Sequence, residues 1–236
     1  MRPIAAARAC ARLILLALCF IPGGCAGSLF KTKVAPPTMY LLSITPVGDA
    51  GAADAGAHVG DHAAAGAGDA QRADLPADLA VLKPRVRAGL DTDRIAALYP
   101  DRRLDYFADA RWSGPLDQVI QDLVVQLFHL RAGLRNVSGD ASAFASAYWL
   151  EIEVADFQAE YTDGGLPPTV RVHFLARIGS SGERRIIARF EADARRPAAA
   201  NRLSAIVDAY DRAANEALMQ IAADCAAALA PDAPEH

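Results

Sequence analysis

The chain has 236 residues, of which 53% are apolar, 24 are Lys or Arg and 28 are Asp or Glu, so its formal net charge is −4. This acidic balance, without a stripe rich in Lys and Arg, argues against nucleic acid as a partner and against electrostatic docking on anionic lipid head groups. The length allows one domain with a single buried core.

The first 24 residues have the layout of an export signal. Three arginines precede an apolar run, Leu13–Ile21, that is too short to span a bilayer. Two glycines then precede Cys25, an arrangement that a lipoprotein signal peptidase accepts, whereas Cys19 follows the bulky Leu18. We therefore predict a signal peptide over 1–24 and lipid attachment at Cys25, with an ordinary cleaved signal or an uncleaved anchor as the alternative.

The residue after Cys25 predicts the destination of the mature protein. By the sorting rule of Gram-negative lipoproteins, Ala26 in place of Asp indicates the outer membrane, facing the periplasm. Several acyl chains would hold the protein to that membrane where one alone would be marginal. Processing also leaves Cys225 as the one cysteine that is neither removed nor acylated, and its place on an apolar helix stripe predicts a buried, unreactive thiol.

Composition divides the mature chain into a tether and one domain. Residues 47–75 consist mainly of Ala, Gly and Asp without periodicity, which predicts a disordered insertion. The predicted segments are a lipidated tether over 25–37, a first strand within 38–46, the insertion over 47–75, a globular domain over 76–230 and a tail over 231–236.

The early elements of the domain are predicted from periodicity and breakers. They are a strand over Met39–Ile44, a weak edge strand over Leu79–Val86 bent at Pro84, and extended pieces over Arg94–Tyr99 and Leu104–Phe107. Apolar residues then recur at helical spacing from Leu116 to Leu127, with Pro115 before them and Gly133 after them, which predicts an amphipathic helix of about five turns.

The second half of the domain alternates strictly. Apolar and charged residues alternate over 150–154, 170–178 and 186–193, which predicts an antiparallel meander with turns at Gly164-Gly165 and over 179–182 and with cross-strand Arg–Glu pairs on its polar face. A final helix is predicted from Leu203 to Leu229. The pattern predicts an α/β (α+β) single domain with a mixed, largely antiparallel sheet and two long amphipathic helices packed on it.

No catalytic motif is present in the sequence. The chain contains no nucleophile elbow, P-loop, dinucleotide-binding glycine motif, paired-cysteine zinc site or HExxH motif. His58 and His62 lie among aspartates of the insertion, where flexible ligands without a rigid support make poor metal sites. We therefore predict no enzymatic activity, no cofactor and no metal site.

One cluster of aromatic and basic residues stands out between Arg94 and Pro115. It includes Tyr106, Arg111 and Trp112, residue types that anchor protein interfaces because they combine apolar area with directional donors. Two interpretations stay open. In the first, Tyr106 and Trp112 pack under the start of the helix while Arg111 pairs with a carboxylate such as Asp109 or Asp105. In the second, the three residues form a partner surface.

The same stretch resembles the ABC-type transport auxiliary lipoproteins, the paraquat-inducible C-like lipoproteins encoded beside MCE transport systems. The resemblance rests on Tyr40-Leu41-Leu42 after the lipidated cysteine and on the runs Arg94-Ile-Ala-Ala-Leu-Tyr99, Arg103-Leu-Asp-Tyr106-Phe107 and Ala110-Arg-Trp112-Ser-Gly-Pro115-Leu116. It covers about residues 25–45 and 78–229, and the insertion is longer than is typical of the family.

The resemblance implies a non-enzymatic outer-membrane partner of an MCE protein in a lipid transport system, with a compact α/β fold that can assemble as homo-oligomeric rings. It assigns acylation to Cys25 and matches Tyr106, Arg111 and Trp112 to the family signature. A periplasmic lipid- or solute-binding lipoprotein is the alternative, because the alanine-rich last helix leaves room for an apolar pocket. An envelope hydrolase is a weaker alternative, because it would need a nucleophile with its base.

Overall fold

The computed structural model describes residues 36–44, 75–131, 134–139 and 146–230. Chain contacts divide the protein into the units Met1–Pro36 and Pro37–His236, and the second unit carries every element described below. The predicted signal peptide, Cys25, nearly all of the tether and of the insertion, and the tail over 231–236 lie outside the described residues. Within those residues, no helix has the length and apolarity needed to cross a membrane.

The described residues form nine strands and two helices. In chain order these are β1 (Thr38–Tyr40), β2 (Leu75–Val81), β3 (Arg85–Val86), β4 (Arg94–Leu98), β5 (Leu104–Trp112), α1 (Leu116–Arg131), β6 (Leu134–Ser138), β7 (Tyr148–Glu160), β8 (Thr169–Ser180), β9 (Arg185–Pro197) and α2 (Leu203–Leu229).

The long strand β7 is the centre of a mixed sheet. On one side it pairs antiparallel with β8 over its whole length, and β8 pairs antiparallel with β9, so the predicted meander is confirmed. On the other side β2, β3 and β4 follow one another along β7, all parallel to it. Beyond these, β6 joins β2 in parallel, β5 joins β4 antiparallel, and β1 joins β5 in parallel.

The expectation of a largely antiparallel sheet holds for only half of the sheet. The antiparallel pairings are long, but five of the eight pairings are parallel. Four of the five parallel pairings join a strand before α1 to a strand after it, because α1 carries the chain back along the sheet between β5 and β6. Strands that come before and after such a crossover can run in the same direction.

Several boundaries differ from the predicted ones. The first strand ends at Tyr40, the predicted edge strand is split into β2 and β3 around Lys83-Pro84, and β6 was not predicted. The turn at Gly164-Gly165 is confirmed, with φ of 107° and 71° at the two glycines. The turn predicted over 179–182 lies about two residues later, because Gly179 and Ser180 belong to β8 and Arg184 adopts the left-handed conformation with φ 54°.

The helices supply the other half of the core. α2 packs on β8 and β9, and α1 packs against β2, β3, β6 and α2. The stripe of α2 that was predicted from spacing is buried from Ile206 to Cys225, with the half-buried Leu203 and Leu229 at its ends. Alanines on this stripe bring the helix close to the sheet, and the buried Tyr210 side chain donates a hydrogen bond from its hydroxyl to the Ala96 carbonyl oxygen at 2.6 Å.

Candidate functional site

Strand β5 carries the three predicted site residues and has an irregular course. Its register against β4 shifts between the pairs Arg94–Arg111 and Ala96–Tyr106. Asp109 lies inside the shifted segment with φ 54°, a left-handed conformation that bends a strand at a bulge. The end of β5 beyond this bend pairs with β1.

Trp112 lies inside the core. Its side chain is 1% exposed and meets the rings of Tyr210 and Phe157 edge-on, with centroid distances of 5.2 and 5.8 Å. Its backbone N–H donates to the Asp93 carbonyl oxygen at 2.7 Å. In this structure Trp112 therefore supports the site from beneath and presents almost no surface to a partner.

Arg111 is half-buried and forms an ion pair. Its Nη1 lies 2.6 Å from Asp93 Oδ1, so Arg111 does pair with a carboxylate, but Asp105 and Asp109 were the wrong partners. The cause is the sheet register, since Arg111 lies opposite Arg94 and hence beside Asp93, whereas Asp105 pairs with Arg103 at 2.8 Å. Partners on a neighbouring strand cannot be read from distance along the chain.

Tyr106 is half-buried and bonds the segment that contains Asp93 at an earlier residue, Gly89. Its hydroxyl donates to the Gly89 carbonyl oxygen at 2.6 Å, and the Arg94 guanidinium lies 4.1 Å from the centre of its ring. Gly89 has φ +90°, which favours glycine, and a Cβ there would lie 3.0 Å from the Leu104 side chain.

All three residues hold one connection, residues Arg87–Asp93 between β3 and β4, which we call the clamped loop. Tyr106 bonds its middle, while Arg111 and Trp112 bond its end. The first helical residue also takes part, since Leu116 N–H donates to the Thr92 carbonyl oxygen at 3.1 Å. In this structure the three residues thus contact a loop that precedes the helix.

The clamped loop leaves the sheet beside an interruption in the pairing of β7. Strand β3 pairs with Glu153 and Val154, and β4 pairs with Ala159 and Glu160, so neither strand pairs with the residues between. In that gap the Phe157 N–H donates to the Oε1 atom of Gln158 at 3.1 Å, a side chain that is 4% exposed. A side-chain acceptor thus replaces the missing strand.

A cleft of about 520 Å³ lies over this interruption. Its polar lining includes the buried Asp156, which pairs with Arg87 and Arg171 at 3.0 Å each. Its apolar lining includes Leu90 of the clamped loop, Leu98 at the end of β4 and Leu104 at the start of β5. The cleft is therefore a mixed polar and apolar site whose shape depends on the clamped loop.

Sequence reasoning missed this cleft, although one signal was available. Polar residues occupy positions 151 and 153 and then 156, 158 and 160, so the two-residue period skips one position. Such a skip marks a β-bulge. The structure has a register shift in β7 between Val154 and Asp156, which turns the later polar residues to the face that lines the cleft.

The charges on this face are paired, as predicted. The Arg171 guanidinium hydrogen-bonds Asp193 and lowers the pKa of that carboxyl, and Arg177 does the same for Glu151, with Arg177 Nε 2.6 Å from Glu151 Oε2. The prediction that the Cys225 thiol is buried is confirmed, and burial raises its pKa to about 12, which keeps it protonated at neutral pH. Within the described residues, no three His, Cys, Asp or Glu side chains lie close enough together to hold a metal ion.

Comparison with known proteins identifies relatives. A family model described as the ABC-type transport auxiliary lipoprotein component matches residues 61–222. Protein XCC0632 from Xanthomonas campestris, of the DUF330 family model, has a similar structure with TM-score 0.64 and 21% identity over 81% of this chain and 96% of its own. A second solved structure, of an uncharacterized protein, has TM-score 0.54 and 17% identity over 63% and 92% of the two chains. Both share the fold. Among curated proteins, none is significantly similar in sequence.

Proposed function

Because the chain belongs to the family of ABC-type transport auxiliary lipoprotein components, we propose that it is a non-enzymatic outer-membrane lipoprotein of an MCE/ABC-type intermembrane lipid transport system. In this role it docks the transport assembly at the outer membrane, faces the periplasm and contacts an MCE-domain protein. Lipid on Cys25 holds it to the membrane, and assembly as a homo-oligomer would present several docking surfaces together.

The observation that carries this proposal is the clamped loop. Family-signature residues hold its middle at Gly89 and its end at Asp93. A segment held in this way is preorganised for binding, which reduces the ordering cost of association. Tyr106 and Arg111 keep accessible surface there, while Trp112 acts from the core. The docking surface we propose therefore consists of Tyr106, Arg111 and the outer side of Arg87–Asp93, with Trp112 as its support.

Site-specific photo-crosslinking tests the proposal. Ser113 is exposed and directly follows Trp112, so a photoreactive residue at this position samples partners of the surface. We expect an MCE-domain protein among the adducts formed in the native envelope. The adduct should disappear in Cys25→Ala, because the unlipidated protein is not held at the outer membrane.

A second probe position provides the matched control. Ala223 is exposed on α2, 13 residues beyond Tyr210, the α2 residue whose ring contacts Trp112, so about 20 Å of helix separates it from that contact. A probe at position 223 should give no MCE adduct. Equal yields from positions 113 and 223, or adducts at 113 with only the same protein or lipid, would contradict the docking surface.

The cleft of about 520 Å³ favours a second candidate function, a periplasmic lipid- or solute-binding lipoprotein. Its volume lies within the range of small-molecule sites. Mass spectrometry of lipid extracted from the purified protein separates the two functions. Stoichiometric lipid retained by the isolated protein, together with no MCE adduct, would favour the binding function over docking.

A further inference from the structure

The cleft beneath the clamped loop has the form of a ligand site. Its volume of about 520 Å³ suits a small organic molecule. The half-buried Leu98 and Leu104 and the buried Leu90 are among its apolar lining residues, and Arg87, Arg102 and Asp156 are among its charged ones. A ligand that matches this lining has both an apolar body and a polar head.

The acceptors in the cleft are already used by the protein. Asp156 Oδ1 accepts from Arg87 at 3.0 Å and from Gln158 at 3.2 Å, and its Oδ2 pairs with Arg171 at 3.0 Å. Glu160 accepts from Gln158 at 3.2 Å through Oε1 and pairs with Arg195 at 3.1 Å through Oε2. The carboxylates are thus neutralised by protein groups, so they demand no cation from a ligand.

In contrast, some hydrogen-bond donors of the cleft have no acceptor in the part of the protein that the structure describes. Among the described residues, the Arg102 side chain lines the cleft without any hydrogen bond or ion pair. Arg87 uses one bond, to Asp156, and its side chain is 66% exposed. An arginine has five N–H donors and no acceptor. The N–H groups of Arg102 and Arg87 that bond no described protein atom therefore favour a ligand with an anionic acceptor.

The backbone at Arg102 gives a second indication. This residue has φ 66° in the turn that links β4 and β5, a conformation that glycine adopts at the least cost. An arginine in this conformation is an outlier of the kind that clusters at ligand sites. Because the residue at this position is arginine and not glycine, a guanidinium lines the cleft.

We propose that the cleft binds an anionic amphiphile through a carboxylate or phosphate head group. Arg102 and Arg87 contact the head, and the leucines of the cleft lining hold the apolar body. This site goes beyond the proposed docking function, since it needs neither a partner protein nor the lipid anchor. A negative result for the cleft would therefore leave the docking function intact, and a negative result for docking would leave the cleft proposal intact.

Calorimetric titration of the purified full chain tests the site with four short probes that partition little into detergent. Hexyl phosphate and hexanoate carry the two head groups, hexanol carries none, and inorganic phosphate has no apolar body. We expect hexyl phosphate or hexanoate to bind saturably, at one per chain, and hexanol and inorganic phosphate to bind at least tenfold more weakly. The stronger of the two anionic probes identifies the head group.

Arg102→Gln should weaken anionic binding about tenfold or more, as expected for the loss of a charge-assisted hydrogen bond. Arg184→Gln is the matched control, because Arg184 is also exposed and left-handed, with φ 54°, but lies in the turn between β8 and β9. Ala88→Trp should block binding, since Ala88 is exposed and lines the cleft.

A pair of glycine variants keeps folding and binding separate. Arg102→Gly and Arg184→Gly should both retain or raise the midpoint of thermal unfolding, because each relieves a left-handed non-glycine residue. Only Arg102→Gly should lose the anionic probe. Equal binding by the Arg102 and Arg184 variants, absence of saturable binding, or hexanol binding as tightly as hexyl phosphate would overturn the proposal. Inorganic phosphate binding as tightly as hexyl phosphate would overturn its amphiphile part.

Discussion

At the scale of single residues, the Trp149 ring leaves no room for a side chain at Gly179. A Cβ at this position would lie 2.2 Å from a ring carbon of Trp149, its partner on the paired strand β7, and 2.8 Å from the Arg185 carbonyl oxygen. Neither the ring nor the backbone oxygen can yield easily. We expect Gly179→Ala to lower the free energy of unfolding by about 1–3 kcal/mol, as overpacking does in cores, measured by urea denaturation.

The control for this prediction is Gly182→Ala in the nearby turn. A Cβ at Gly182 meets nothing within 4 Å, so the substitution should leave the unfolding free energy nearly unchanged. Combining Gly179→Ala with Trp149→Ala should cost less than the sum of the two single changes, because the clash is then removed. Additive costs would show that the ring does not cause the strain.

Asp211 gives a prediction about pH. Burial raises the pKa of this carboxyl above its ordinary 3.8, even though Oδ1 accepts from the Ser43 N–H at 2.8 Å. A raised pKa in the folded state means that ionised Asp211 destabilises the fold at every pH above that pKa. We expect Asp211→Asn, which keeps the acceptor, to raise the unfolding free energy at pH 7.

The advantage of Asp211→Asn should shrink as the pH falls and should disappear below about 3.8, where the carboxyl is protonated in both states. Chemical denaturation at a series of pH values measures this. A difference between variant and wild type that is constant over pH would show that burial of charge is not its cause.

At the scale of elements, the rows of ion pairs on β7, β8 and β9 should control acid unfolding. Arg177 lowers the pKa of Glu151 below its ordinary 4.5, and Arg171 lowers that of Asp193 below 3.8. A lowered pKa stabilises the fold above the ordinary value and ceases to do so as the pH falls through the folded-state pKa. Stability should therefore decrease below about pH 4.5.

Glu151→Gln removes one of these carboxylates and should make the unfolding free energy less steep with pH below 4.5. The measurement is the urea midpoint between pH 7 and pH 3. Glu183→Gln is the control, because Glu183 is exposed in the turn and pairs only with its neighbour Arg185 within the described residues. The same slope for both variants would contradict the assignment to β7.

The clamped loop gives a second prediction at this scale. Tyr106→Phe removes the hydroxyl that donates to Gly89 and should cost about 1 kcal/mol of stability. Hydrogen exchange should become faster over 87–93 and stay unchanged in β8. Faster exchange throughout the protein would mean that Tyr106 holds the whole fold and has no specific effect on the loop.

The elements also show how far the sequence predicts this protein. Both helices and the meander follow from strict periodicity, because each buries one regular face. The sequence did not predict the division into β2 and β3 or the bulge at Asp109. Both features depend on pairing with β7 and β4. The same cause hid the partner of Arg111 and the cleft, both of which arise between segments far apart in the chain.

At the scale of the whole molecule, residues 38–44 pack against the rest of the domain. The family match begins at residue 61, yet β1 pairs with the end of β5. The residues after β1 reach α2, where Asn215 Nδ2 donates to the Ser43 carbonyl oxygen at 2.7 Å and Ile44 is 7% exposed. A pull on any anchor attached before residue 36 would therefore act on β5, which bonds the clamped loop, and on α2, which packs on β8 and β9.

This arrangement predicts that two truncations behave differently. A chain that begins at residue 36 keeps β1 and Ile44 and should unfold at the same urea midpoint as the longer protein. A chain that begins at residue 45 loses the buried Ile44 side chain, worth about 1.5–3 kcal/mol, together with β1 and the bonds of Ser43. We expect it to be at least about 2 kcal/mol less stable.

Point variants locate the effect within the segment. Ile44→Ala should reproduce most of the loss, since emptying a buried aliphatic site costs about 2–5 kcal/mol. Met39→Ala should cost little, because Met39 is 51% exposed. Equal stability of the two truncated chains would mean that the segment only rests on the domain. Force on a lipid anchor would then not reach the clamped loop through the pairing of β1 with β5.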